Sequence, residues 1–220
     1  MVRKSIAWLI PTVAIAVLGA TNRAQAQTTK NFDIEYKTLT QIAPFQEGYV
    51  RATITGTSTS PGAFGLDSFV SNTYGRLEDT GNPSLVKYTF NSNPTALGLP
   101  SNLESFHDRY FGGANELFGK ASDSAEINLA AGTIQGGGTI TIFNGTGVLE
   151  NATGKITFSQ QDRLGPPDVP AEGVATLKFE LQTPIRQVPE YTPTYTLVSA
   201  SLIGAALFKG RKRQKANNPV

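Results

Sequence analysis

The sequence predicts an all-β domain, an antiparallel meander of about eight strands that closes into a barrel in preference to a sandwich. Three observations carry this. Apolar and polar residues alternate with period two through most of the body of the chain, the pattern of strands with one face in a core and one in water. Clusters of Gly, Pro, Asn and Ser break that alternation at short intervals, as turns require. Long uncharged runs that would suit a helix are confined to the two ends.

Each strand follows from its residues. Phe32, Ile34 and Tyr36 alternate with Asp33, Glu35 and Lys37 and predict a strand over 32–39. Val50, Ala52 and Ile54 do the same over 49–56. After the turn Thr59-Ser60-Pro61-Gly62 a third strand is expected at 66–74, although Leu66-Asp67-Ser68-Phe69-Val70 keeps no strict alternation. Thr80-Gly81-Asn82-Pro83 turns the chain into a strand at 85–91 carried by Val86, Tyr88 and Phe90. The remaining four are expected at 125–131, 137–144, 154–161 and 174–182. Their signals are Ala125, Ile127 and Leu129; Ile140 and Ile142; Ile156 and Phe158; and Leu177, Phe179 and Leu181. Aromatic residues at these positions are read as core.

Residues 92–124 interrupt the rhythm and are expected to form one long irregular connection. Connections longer than about 15 residues are uncommon and often functional. Here Phe106, His107, Tyr110, Phe111 and Phe118 gather round charged neighbours, so they are the expected ligand site, lining the mouth of a barrel that holds a small apolar molecule. A second tight loop, 144–154, has glycines at 145, 147 and 154, and its Val148 and Leu149 are both expected to fold over the end of the core. This segment, with its glycine-threonine-glycine to alanine-threonine-glycine pattern, resembles the corresponding loop of allene-oxide-cyclase-like and dirigent-like barrels. The resemblance implies a closed barrel. It implies no activity, because a fold does not fix a function, although a cyclase or isomerase using His107 or Tyr110 is the enzyme reading it brings.

The two ends carry a different kind of information. Arg3 and Lys4, the apolar run Ile6 to Leu18 and the small-residue site Ala24-Gln25-Ala26 form a secretory signal helix with cleavage expected after Ala26. Signal peptidase is therefore an expected partner. At the other end, residues 194–208 contain no charge and would make a helix of about 22 Å, a short transmembrane span against a hydrocarbon core of about 30 Å. Pro193 marks where that helix can start. Lys209, Arg211, Lys212, Arg213 and Lys215 follow it and would hold the tail, 209–220, in the cytoplasm. Ahead of the span stand Val188, Pro189 and Glu190 in a linker, 188–193. This order of parts resembles the PEP-CTERM sorting-signal family, with Tyr191 where the family carries a second proline. The resemblance implies processing by an exosortase-type transpeptidase and a bacterium with two membranes. It places the protein first at the inner membrane, facing the periplasm, and then at the cell surface or in the extracellular matrix, where surface polysaccharide is a candidate partner.

Between the ends, residues 27–187 have the length of a single domain, enough to bury a core without staples. The chain has no cysteine, which excludes disulfides and thiolate metal sites. This region holds 11 Lys and Arg against 16 Asp and Glu, a net charge of −5, which gives no electrostatic reason to bind nucleic acid.

Catalytic signatures are missing too. His107 is the only histidine, so a histidine-based zinc site lacks ligands. Glu78, Asp79, Asp108, Glu116 and Asp123 could offer oxygen to calcium, but no stretch has EF-hand spacing. No nucleophile elbow occurs, and Gly136-Gly137-Gly138 lies between strands, where a phosphate cradle would need a following helix. Asp108 and Arg109 are read as a loop-anchoring ion pair. No catalytic residue, metal or cofactor is assigned, and the chain is expected to be a noncatalytic exported β-protein.

Overall fold

Nine antiparallel strands form one sheet in the computed structural model of the chain, which describes residues 27–166 and 168–184. In chain order they are β1 (Gln27–Gln46), β2 (Tyr49–Ser58), β3 (Ser68–Glu78), β4 (Leu85–Asn91), β5 (Asp108–Gly112), β6 (Asn115–Asn128), β7 (Thr133–Gly145), β8 (Thr153–Arg163) and β9 (Ala171–Pro184). No α-helix occurs among the described residues; three single 3-10 turns punctuate the loops. The expected signal helix, sorting motif, membrane span and basic tail lie outside the described residues.

Successive strands are neighbours almost throughout, and the pairings return to their start. β1 pairs with both β2 and β9, and β2 pairs with β3 from Tyr49↔Arg76 to Thr57↔Ser68, so the sheet is ring-like. Side chains alternate between the two faces. Along β1 the buried positions are Ile34, Tyr36, Thr38 and Thr40, with exposed residues between them. β9 repeats this with Ala171, Ala175, Leu177, Phe179 and Leu181.

One stave of the ring is split. β4 pairs with β3 and β6 through Leu85–Asn91, and β5 pairs with the same two strands through Asp108–Gly112. Both are antiparallel to those neighbours, so β5 continues in the direction of β4. The chain leaves the stave at Ser92 and rejoins it after Phe106. Backbone bonds from Ser92 N to Ala121 O at 3.0 Å and from Phe106 N to Ser92 O at 2.9 Å pin the base of the excursion.

The excursion packs on the outer face of β3. Leu97 and Leu99 bury Tyr74 together with Phe45, Tyr49, Leu103 and Phe106. The Tyr74 hydroxyl donates to the Glu104 carbonyl at 3.2 Å, and the Tyr49 hydroxyl donates to the Leu97 carbonyl at 3.0 Å. The Arg51 guanidinium lies 4.5 Å from the centre of the Phe45 ring and 5.3 Å from that of Tyr74, a cation–π arrangement.

This region departs from the sequence expectation. The long connection ends at residue 107, not 124, and β6 begins at Asn115 instead of 125. The inward positions of β6 include Gly119, Ala121 and Asp123, so the strand alternates in geometry while its hydrophobic alternation is too weak to see. The 144–154 loop also differs. Leu149 is fully buried as expected, but Val148 is 58% exposed. The two occupy one 3-10 turn, Gly147–Leu149, where adjacent side chains point about 120° apart and cannot both face inward.

Candidate functional site

The interior of the ring is apolar at both ends and polar at its waist. One end is filled by a cluster that includes Tyr36, Phe69, Tyr110, Leu117, Ile156 and Phe179. The other holds Val50, Ala52 and Phe90, then Ile127, Ile134 and Ala171. Between these plugs the inward side chains change character on several strands at the same level. β1 passes from Tyr36 to Thr38 and Thr40, β3 from Phe69 to Ser71 and Thr73, and β8 from Phe158 to Gln160 and Asp162. Asp108 enters from β5 and Asp123 from β6.

Four of these groups are tied to one another. Thr38 Oγ1 donates to Asp162 Oδ1 at 2.9 Å, and Gln160 Nε2 lies 2.7 Å from Asp162 Oδ2 and 2.8 Å from Thr40 Oγ1. The contact between β1 and β8 passes over Gly173 of β9, which pairs with both Thr38 and Asp162. A Cβ at Gly173 would collide with Asp162 Oδ1, so the bridge requires glycine there. Asp162 thereby has both carboxylate oxygens satisfied.

Asp108 does not. Its side chain is 1% exposed, and the Tyr110 hydroxyl donates to Oδ2 at 3.4 Å. Ser71 lines the same cavity as Asp108, and Oδ1 is buried without a hydrogen-bond partner. A buried unpaired acceptor costs about 1–3 kcal/mol. Burial pushes the Asp108 carboxyl up to about 7, with nearby Asp123 adding to the rise and the Ser71 and Tyr110 hydrogen bonds opposing it. Burial likewise pushes Asp123 to about 7, and it raises the Tyr110 phenol, with further help from Asp108 and Tyr36.

Two adjoining cavities occupy this waist and share Ile54, Thr73, Asp123, Phe158 and Gln160 in their walls. The centre of a water-sized sphere has about 20 Å³ of free space in one and about 30 Å³ in the other, room for roughly one to two waters each. Space opens here because the facing positions are small. Ala121 on β6 lines the first cavity and Gly136 on β7 the second, and Gly138 on β7 lies so near Asp123 that a Cβ there would collide with the Asp123 Cβ. No Lys, Arg or His lines either cavity. The ion pairs Arg76–Glu78, Arg109–Glu116 and Lys155–Glu180 join side chains that are at least 30% exposed.

The residues expected to form a ligand site are not brought together. Strand alternation along β5 turns Asp108 and Tyr110 inward and His107, Arg109 and Phe111 outward. Only Tyr110 of the five reaches the cavity. Phe106 stacks on Tyr74 at 4.7 Å under the excursion, Phe111 lies 4.7 Å beneath the Arg109 guanidinium, and His107 sits 6.0 Å from Phe118. A mouth of aromatic residues on 106–118 is therefore replaced by an interior acidic layer. The expected Asp108–Arg109 pair is absent for the same reason: Arg109 pairs instead with Glu116 across the β5–β6 hairpin, at 3.3 Å from Nε to Oε2. His107, exposed on the outer side, lends nothing to an interior acid–base reaction.

Thr38, Thr40, Ser71, Thr73, Gln160 and Asp162 are not marked as site residues by any sequence motif. The signal that could find them is a hydroxyl, amide or acid appearing at a position that the flanking alternation assigns to the core. Among the described residues no group of three or more His, Cys, Asp or Glu could hold a metal ion. The sorting residues Val188, Pro189 and Glu190, the basic tail and the cleavage site at Ala24 and Ala26 lie outside the described residues. No family model, no curated protein and no solved structure matches this chain, and its function is therefore read from this acid-bearing interior and from its two ends.

Proposed function

We propose that the chain is an exported, noncatalytic β-barrel protein, delivered by its C-terminal segment to the cell surface or extracellular matrix. The observation that carries this is the register of the first and last strands. Gln27 pairs with Pro184, so the two ends of the described sheet lie side by side, and in the sequence Ala24-Gln25-Ala26 precedes one of them while Val188, Pro189 and Glu190 follow the other. Cleavage by signal peptidase and processing by an exosortase-type enzyme would then release an intact ring. Closure as a barrel is supported by the β2–β3 pairing, which gives both strands a neighbour on each side and hides the sheet edges that invite aggregation. Intact-mass measurement of the protein from membranes and from the medium tests the reading. A chain starting at Gln27 and ending near Glu190 is expected outside the membrane. A chain ending at Val220 and found only in membranes would reject sorting.

A second reading gives the exported ring something to carry, a small molecule bound in its interior. The specific observation in its favour is the buried, unpartnered Asp108 Oδ1 beside a cavity. Native mass spectrometry of the purified full chain should show a co-purifying small ligand, lost on unfolding. An apoprotein that takes up neither polar nor apolar small molecules would remove this reading.

A further inference from the structure

We infer that the waist of the ring is a site for a small primary ammonium ligand, held between Asp108 and Asp123. This rests on the reading of the interior as a binding chamber and names the chemistry it would take.

Charge comes first. Asp108 and Asp123 line the first cavity together, with no cationic side chain in its wall. A desolvated carboxylate without a counter-charge is costly, and proteins normally pair such groups. Here the chain supplies no partner, and a cationic ligand would.

Hydrogen bonding selects the kind of cation. Asp162 has both oxygens occupied by Thr38 and Gln160, whereas Asp108 Oδ1 has none. An ammonium carries three N–H donors and no acceptor, and so would complement Asp108 Oδ1, the Asp123 carboxylate and the Thr73 hydroxyl that also lines the cavity. A hard divalent cation is a poorer fit. Calcium wants about six to eight oxygens, and no group of three acidic or other ligating residues stands together among the described residues.

Size and wall chemistry set the rest of the ligand. The free spaces of about 20 and 30 Å³ together match about three waters, hence an amine with a very short carbon chain. The walls next to the carboxylates are apolar, with Ile54, Ala121, Ile140 and Phe158. The second cavity extends toward Ala125 and Ile42, which are only partly buried.

The experiment is calorimetric titration of the full-length chain at pH 8 with ethylammonium chloride, with ethanol and calcium chloride as separate arms. Saturable millimolar binding of ethylammonium is expected, as befits so few heavy atoms. Asp108→Asn and Asp123→Asn should each weaken it about tenfold or more, with unchanged circular dichroism showing that the ring still folds. As a measurement independent of any variant, nuclear Overhauser contacts should join the ethyl protons to the methyl groups of Ala121 and Ile140. Equal affinity in both variants, or calcium binding without amine binding, would overturn the inference. Ethanol binding alone would overturn it while leaving the chamber reading intact. Binding of none of the three, with a clean apoprotein by native mass spectrometry, would remove both.

Discussion

The part of the ring formed by β1, β9 and β8 and the part formed by β4, β5 and β6 are built on the same pleat but filled differently. In the first, large apolar side chains such as Ile34, Tyr36, Ile156 and Leu177 fill the inner positions at one end, and Phe179 stacks on Phe32 at 4.6 Å and meets Tyr110 edge-on at 5.7 Å. In the second, the inner positions run Asp108 and Tyr110 on β5 and Leu117, Gly119, Ala121 and Asp123 on β6, and the stave between β3 and β6 is interrupted by a 92–107 excursion. The packed end of β1, β9 and β8 holds the ring together, while their waist carries Thr38, Gln160 and Asp162. The loose region contributes less cohesion and supplies the two desolvated carboxylates and the space between them.

The contrast can be broken or sharpened by measurement, beginning with the largest effect. Phe179→Ala, in the densely packed region, should cost about 3–5 kcal/mol of unfolding free energy in urea. A loss no larger than that of a surface change would show the plug to be poorly packed.

The acidic waist should reveal itself through pH. Asp108 and Asp123 are raised from the ordinary 3.8 to about 7 in the folded chain, so the folded state binds protons more tightly than the unfolded one there. Their stabilising effect is fully present below about pH 4 and is lost as pH rises through 7. The groups facing Asp108 are Ser71, Tyr110 and Asp123, so Asp123 alone among them titrates in this window. Stability should therefore fall between pH 4.5 and pH 8 by on the order of 3 kcal/mol for each of the two acids, and the fall should shrink in Asp108→Asn. Glu78 works the other way. Its pKa is lowered, first by the Thr89 hydrogen bond and then by Lys87 and Arg76, so its contribution is present above 4.5 and disappears in acid. Thermal melts across pH separate the two: a flat profile above pH 5 would mean that the waist acids are solvated.

A smaller effect is expected at Gly173. The added Cβ of Gly173→Ala would meet Asp162 Oδ1 and the Gln161 carbonyl, forcing β8 and β9 apart locally at about 1–3 kcal/mol. Urea denaturation should show this loss, together with disturbed amide shifts for Thr38 and Asp162. The smallest is Val148→Ser, expected within about 0.5 kcal/mol of the parent because Val148 is exposed where its neighbour Leu149 is fully buried. A loss approaching that of Leu149→Ala would show the turn to be packed on both sides.

Legibility in the sequence follows the same division. β1, β2, β4, β8 and β9 can be read because Ile34 and Tyr36, Val50 and Ile54, Ile156 and Phe158, or Leu177 and Phe179 print the pleat as hydrophobicity. β5 and the first half of β6 cannot, since Gly119, Ala121 and Asp123 satisfy the geometry of an inner face without its usual chemistry. The site is hidden for a second reason. Thr38 is brought to Asp162 and Gly173 by the register of β1 against β9 and of β9 against β8, Thr38 and Asp162 being 124 residues apart in the chain, and nothing local in any of the strands states that register. His107 and the aromatic residues around it draw attention by composition, while strand alternation assigns them to opposite faces. Of the residues that conceal β6, Ala121 and Asp123 also line the cavity.

The split stave has one more consequence. β4 and β5 each take their alignment from β3 and β6, and the excursion between them is closed at its neck by Ser92, Phe106 and Ala121. Its length is consequently decoupled from the alignment of the ring. Residues 93–105 form a natural graft point, where a peptide, a fluorophore or a second domain can be spliced into the wall of the protein while the strands on either side keep their partners.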